Sequence, residues 1–133
     1  MNLLLSILMC LVLSLTVIHD QVLAKSGLVD PVLKIAMGSG KPTLVEFGAT
    51  WCPSCARVDP VIKALRKDKE FSSRVNIISV DVDKSPALAT KYKIQSLPVL
   101  IFLDQSGKEI KRHFGFIEKE HLLKLFKTSL RSL

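Results

Sequence analysis

Residues 3–18 are apolar almost without interruption, after which the chain settles into the short apolar runs and amphipathic stripes of a folded domain. Apolar residues at helical spacing predict a helix over residues 28–37, with Asp30-Pro31 as its start and Gly38-Ser39-Gly40 as its stop. Residues 43–49 read as a strand. The amphipathic stretch 53–69 predicts a helix that turns Val58, Val61, Ile62 and Leu65 inward and is kinked by Pro60 in its interior. A β-branched strand follows over 75–82, then a short helix that begins at Ser85, with Pro86 in its first position, and reaches Tyr92. Residues 98–103 form the next strand. The turn Asp104-Gln105-Ser106-Gly107 joins it to the alternating run 109–114, so the two predict an antiparallel hairpin. A last helix over 118–130 carries the stripe Leu122, Leu123, Leu125 and Phe126. Strand-helix-strand crossovers require parallel pairing and the hairpin antiparallel pairing. The order αβαβαββα therefore predicts an α/β fold, a mixed sheet of four strands with helices on both faces.

The 133 residues suffice for one domain, with no internal repeat and no low-complexity linker. Residues 1–24 read as an export signal, because the apolar run is followed by Val22-Leu23-Ala24, which ends on the small residue expected before cleavage. The flank before the run carries no Lys or Arg, so an uncleaved anchor is the alternative. A run shorter than the ~20 residues that a spanning helix prefers favours cleavage, leaving 25–133 as the domain. Cys10 lies inside this run, but Met9 before it is not the small residue that a lipidation site wants. Removing residues 1–24 takes away Asp20 and no cation, which raises the formal charge of +7 by one. The cations are scattered over a helix and a hairpin and form no nucleic-acid motif, so a solvated basic surface is expected.

Cleavage would leave two cysteines, Cys52 and Cys55, where the first strand gives way to a helix. Pro53 suits the first helical turn, which puts Cys52 at the helix N-terminus. Free N–H groups and the positive end of the helix dipole favour a thiolate there. Cys52 is thus the expected nucleophile. Cys55, one turn on and more shielded, is the expected resolving thiol. A structural bridge across so short a loop would remove little unfolded-state entropy. A zinc site would need two further ligands, and His113 and His121 lack the spacing to supply them. Redox chemistry without metal or organic cofactor is the better reading. Glu46 stands in the middle of an apolar strand, where a buried carboxyl would resist ionisation and could exchange a proton with Cys55. Trp51, beside the nucleophile, reads as contact surface, whereas His113 and Tyr92 are assigned structural roles.

With these residues in place, the chain resembles the thioredoxin family over residues 28–130. Trp51-Cys52-Pro53-Ser54-Cys55 is similar to its Trp-Cys-X-X-Cys site, and Pro60 matches the proline that kinks its active-site helix. Residues 83–92 are similar to the segment that leads into the family's cis-proline loop, Ser96-Leu97-Pro98 matches that loop, and Gly115 matches the glycine after the last strand. The resemblance implies a thioredoxin fold, a cis peptide before Pro98, and a Leu97 backbone that bonds an extended substrate strand beside Trp51 and Pro53. Pro98 would also bar metal from the thiols. Three departures stand out: Pro53-Ser54 replaces the Gly-Pro of cytosolic members, Glu46 replaces their buried Asp, and Ser79 replaces a lysine near it. Glutamate in that position resembles exported, membrane-associated reducing members, such as those serving cytochrome c maturation. The expectation is a monomeric, periplasmic or secreted thiol–disulfide oxidoreductase that reduces protein disulfides and draws electrons from a membrane donor, similar to the transporter that recharges exported relatives. A disulfide donor or isomerase, and a non-enzymatic binding or chaperone module, are the alternatives.

Overall fold

Strand β1 (Thr43–Gly48) occupies the middle of the sheet in the computed structural model, which describes residues 31–131. Before it comes helix α1 (Pro31–Ser39). After it follow α2 (Pro53–Lys67), α3 (Lys69–Arg74), β2 (Asn76–Asp81), α4 (Pro86–Lys91), β3 (Val99–Leu103), β4 (Glu109–Phe114) and α5 (Lys119–Arg131). The strand order is β2-β1-β3-β4: β1 runs parallel to β2 and antiparallel to β3, and β3 and β4 form the hairpin. The sheet is therefore mixed, as the element order requires. The expected leader and the first residues of the predicted opening helix lie outside the described residues.

Hydrogen-bonded on both sides and covered on both faces, β1 is buried at all six positions. Its alternation sorts the core into two layers. Leu44 joins Val58, Ile62 and Leu65 of α2 and Leu122 and Phe126 of α5 on one face. Val45 and Phe47 join Val32 and Ala36 of α1 with Val80 and Tyr92 on the other. Ring contacts stitch both layers, Phe102 to Phe126 at 5.4 Å and Phe47 to Tyr92 at 5.3 Å between centroids. Each fully buried Leu or Phe contributes about 1.5–3 kcal/mol over its exposed state. This rigid slab holds the C-terminal end of β1 in place.

The helix predicted over 53–69 ends at Lys67, and a second, short helix that was not predicted follows from Lys69. Asp68 adopts an extended backbone, ends α2 by donating its N–H to the Ala64 carbonyl, and caps α3 by accepting the Phe71 N–H on Oδ1 at 3.2 Å. Lys119 Nζ lies 3.2 Å from its other oxygen and pins the junction to the start of α5. These donors hold the Asp68 carboxyl below its ordinary range, the Phe71 backbone bond first and Lys119 after it. The helix α2 runs through Pro60 to Lys67, although Pro60 has no N–H to offer the carbonyl one turn back. Among the described residues, no helix is long and apolar enough to cross a membrane.

Candidate active site

At the C-terminal end of β1 the chain turns through Ala49 to Trp51, and the Cys52 N–H closes the turn on the Ala49 carbonyl at 3.2 Å. Cys52 is the N-cap of α2, in the extended conformation (φ −92°, ψ 110°), and Pro53 follows as the first helical residue. Its carbonyl accepts the Ala56 N–H at 3.2 Å, and its Sγ faces the Cys55 N–H at 3.2 Å and the Ser54 hydroxyl at 3.8 Å. In the reduced protein a Cys52 thiolate would meet these donors at the positive end of a helix of 15 residues. Here the two sulfurs form the Cys52–Cys55 disulfide, with Cα atoms 5.2 Å apart. The expected difference in shielding is not seen in this bridged form: Cys52 and Cys55 are about equally buried.

Behind Cys55 lies Glu46, 6% exposed. Its register partner across the parallel pair is Ser79, whose hydroxyl bonds the carboxylate. Arg66 Nη2 from α2 donates to Ser79 Oγ at 2.8 Å. Burial pushes the Glu46 carboxyl above its ordinary range, against the Ser79 bond, with the Asp59 charge adding to the rise and the Arg66 charge opposing it. A cavity of about 300 Å³ is lined by Glu46, Gly48, Cys55, Asp59, Ser79 and Asp81. The absence of a side chain at Gly48 makes this approach feasible, since a Cβ there would sit 2.7 Å from Glu46 Oε1 and 3.5 Å from Cys55 Sγ. Acid and inner cysteine therefore share one space. A strand-turn-helix carrying a bridged Cys-Pro-Ser-Cys, backed by a buried acid, is a place to exchange disulfides.

The sequence profile of the thioredoxin family matches residues 30–128. The chain belongs to the thioredoxin family. It is 41% identical over 88 residues to a thioredoxin of Mycolicibacterium smegmatis, a match covering 66% of this chain and 78% of that protein. It is 37% identical over 86 residues to a thioredoxin-like protein of Synechocystis, covering 65% and 79%. The crystal structure of Fasciola hepatica thioredoxin superposes with a TM-score of 0.62 at 28% identity, over 73% of this chain and 90% of that one. The fold is the thioredoxin fold, and the protein is a thiol–disulfide oxidoreductase.

As in the thioredoxin resemblance, the peptide between Leu97 and Pro98 is cis. Val99 pairs with Phe47, so Pro98 lies at the same end of the sheet as Gly48 and the turn into Cys52. Pro98 is buried, its carbonyl accepts the Gly115 N–H at 2.8 Å, and Leu97 packs partly against the second core layer. Trp51 and Pro53 are exposed beside Cys52, Trp51 to 67%. The ring of Tyr92 packs on Phe47, and His113 Nε2 meets the Phe116 carbonyl at 3.3 Å. Sequence reasoning did not assign roles to Gly48, Arg66 or Asp83. The glycine in an otherwise apolar strand was a usable signal of close approach. Arg66 and Asp83 reach the site only through tertiary contacts, with Ser79 and Trp51 respectively, which the local sequence does not spell out.

Proposed function

We propose that this thioredoxin-family protein reduces disulfides of exported proteins outside the cytoplasm, acting as a monomer recharged by a membrane electron donor. The Cys52 thiolate attacks one sulfur of a substrate disulfide and expels the other as a thiolate, leaving a mixed disulfide. Cys55 then passes its proton to the Glu46 carboxylate, and its sulfur attacks Cys52 Sγ. The Cys52–Cys55 bond forms and the bond to substrate breaks, its electron pair leaving on the substrate sulfur. Two electrons have moved from protein to substrate. Trp51, Pro53, Leu97 and Pro98 form the surface on which an extended substrate strand lies, and the Leu97 backbone bonds it.

The observation that carries the exchange chemistry is the buried Glu46 carboxyl sharing a cavity with Cys55, and the reducing direction rests on the similarity of a glutamate at this position to exported reducing members of the family. Burial raises the Glu46 carboxyl above its ordinary range, which makes its carboxylate a better acceptor for the Cys55 proton than an exposed one. Export rests on the apolar run 3–18, and the membrane donor on the need for electrons in an oxidising compartment. Equilibrating the cysteine pair with glutathione tests direction, and a strongly reducing potential is expected. An oxidising value would make the protein a disulfide donor. Insulin reduction with dithiothreitol, lost in Cys52→Ser, tests the enzyme against a binding module. A full-length fusion to a reporter active only outside the cytoplasm tests export.

A further inference from the structure

A serine hydroxyl carries one proton and two acceptor lone pairs. At Ser79 one lone pair is taken by Arg66 Nη2 at 2.8 Å, which leaves the hydroxyl proton for the neighbouring carboxylate of Glu46. The placement is fixed from both sides. Strand register sets Ser79 directly beside Glu46, and α2, which carries Cys55 at its start, carries Arg66 near its end. Ser79 and Arg66 are both exposed whereas Glu46 is buried, so Arg66 acts on the acid in two ways, by its charge at a distance and through the hydroxyl that it holds. The other charged and titratable groups around this space are Asp59 and Cys55 on α2 and Asp81 on β2. Asp59 is paired with Lys63 at 3.2 Å and Asp81 with Lys84 at 3.6 Å, while β3 presents the apolar Leu100 opposite Glu46. Arg66 is therefore the cation bonded toward Glu46.

We propose that Arg66 and Ser79 are positioning residues for the resolving step: Arg66 fixes the Ser79 hydroxyl, and the fixed hydroxyl orients the neighbouring Glu46 carboxylate that takes the Cys55 proton. The role rests on the reading that Glu46 takes the Cys55 proton. In the step itself the Cys55 S–H bond breaks, the proton goes to a Glu46 oxygen, and the Ser79 proton stays on its oxygen. Removing the hydroxyl leaves only the smaller effect of the Arg66 charge against burial and Asp59. The carboxyl then holds its proton to higher pH, so at a given pH less of it is in the carboxylate form that takes the Cys55 proton.

The test follows the Glu46 carboxyl by carbon-13 NMR in the reduced, full-length protein, together with the pH profile of product release from a preformed mixed disulfide. Ser79→Ala is expected to move the carboxyl midpoint and the release profile upward in pH, Arg66→Gln to move both in the same direction by less, and Ser79→Thr to restore the wild-type positions. A midpoint unmoved by Ser79→Ala would overturn the proposal. Glu46→Gln separates the two levels. If wild type shows a release inflection that Glu46→Gln removes, while Ser79→Ala leaves it in place, only the positioning role falls. If Glu46→Gln changes nothing in the profile, the proton-transfer reading falls and takes this role with it. Circular dichroism of each variant, with Ser79→Thr as the folded control, keeps a folding defect from passing as a positive result.

Discussion

The indole Nε1–H of Trp51 donates to Asp83 Oδ2 at 2.8 Å, tying the turn before the nucleophile to the segment that leaves β2. Asp83 is itself held, since its N–H donates to Asp81 Oδ1 at 3.0 Å and the adjacent Val82 N–H donates to the Gly48 carbonyl at 3.0 Å. An exposed tryptophan is thereby kept in one orientation before any partner arrives. Preorganisation of that kind lowers the ordering cost of binding rather than adding contacts.

Asp83→Ala should therefore weaken substrate engagement more than chemistry. The expected outcome is a KM for insulin raised roughly fivefold, the equivalent of about 1 kcal/mol, with kcat little changed. Trp51 is the single tryptophan of the chain, so its fluorescence reports the freed indole directly. Unchanged emission together with unchanged KM would show that the bond orders nothing of consequence.

Gly48→Ala should injure the site from inside. The new methyl would sit 2.7 Å from Glu46 Oε1 and in ordinary contact with Cys55 Sγ at 3.5 Å, so the carboxyl must swing out of its place in the cavity. Overpacking of this kind costs about 1–3 kcal/mol, measurable by urea unfolding. The resolving step should slow as well, seen as accumulation of mixed disulfide with substrate in quenched reactions.

Much of this was legible because local chemistry and tertiary environment agree. The apolar neighbours of Glu46 predicted a buried strand, and β1 is buried throughout. Pro53 after Cys52 predicted a helix start, and Cys52 is its cap. The break at Asp68 was missed although its signal was present. An aspartate with Glu70 two residues on is a helix-start pattern, but the apolar stripe through Leu65 masked it. The Arg66–Ser79–Glu46 arrangement was hidden for another reason. It depends on which residue of β2 stands beside Glu46, and register is set by packing of the whole sheet.

Lys93 offers a stabilising change. It follows α4 with φ +52°, and the bonds Lys93 N–H to the Thr90 carbonyl (3.0 Å) and Ile94 N–H to the Ala89 carbonyl (2.9 Å) make the glycine-favouring helix stop. A side chain in that left-handed conformation costs about 1 kcal/mol. Lys93→Gly should raise the unfolding free energy by roughly that amount, with the redox potential unmoved. A loss of stability would mean that the lysine stem makes compensating contacts.

Two carboxyls give the stability opposite slopes in pH. Asp68 sits below its ordinary value of 3.8, so its contribution is present above that pH and is lost as pH falls through its lower folded value. Glu46 sits above its ordinary value of 4.5. Below pH 4.5 it is protonated whether the chain is folded or not, and its burial then carries no charge penalty. As pH rises past that point the unfolded chain ionises Glu46 while the folded protein keeps the proton, so stability falls until the folded group ionises too. Each unit between the two midpoints is worth about 1.4 kcal/mol. Glu46→Gln keeps the shape and removes the titration. In urea unfolding of the oxidised protein it should match wild type at pH 4, become the more stable of the two as pH rises, and hold a constant margin once the folded carboxyl has ionised. Parallel curves across this range would show that Glu46 ionises as readily in the folded chain as in the unfolded one, and that its burial beneath Cys55 carries no charge penalty.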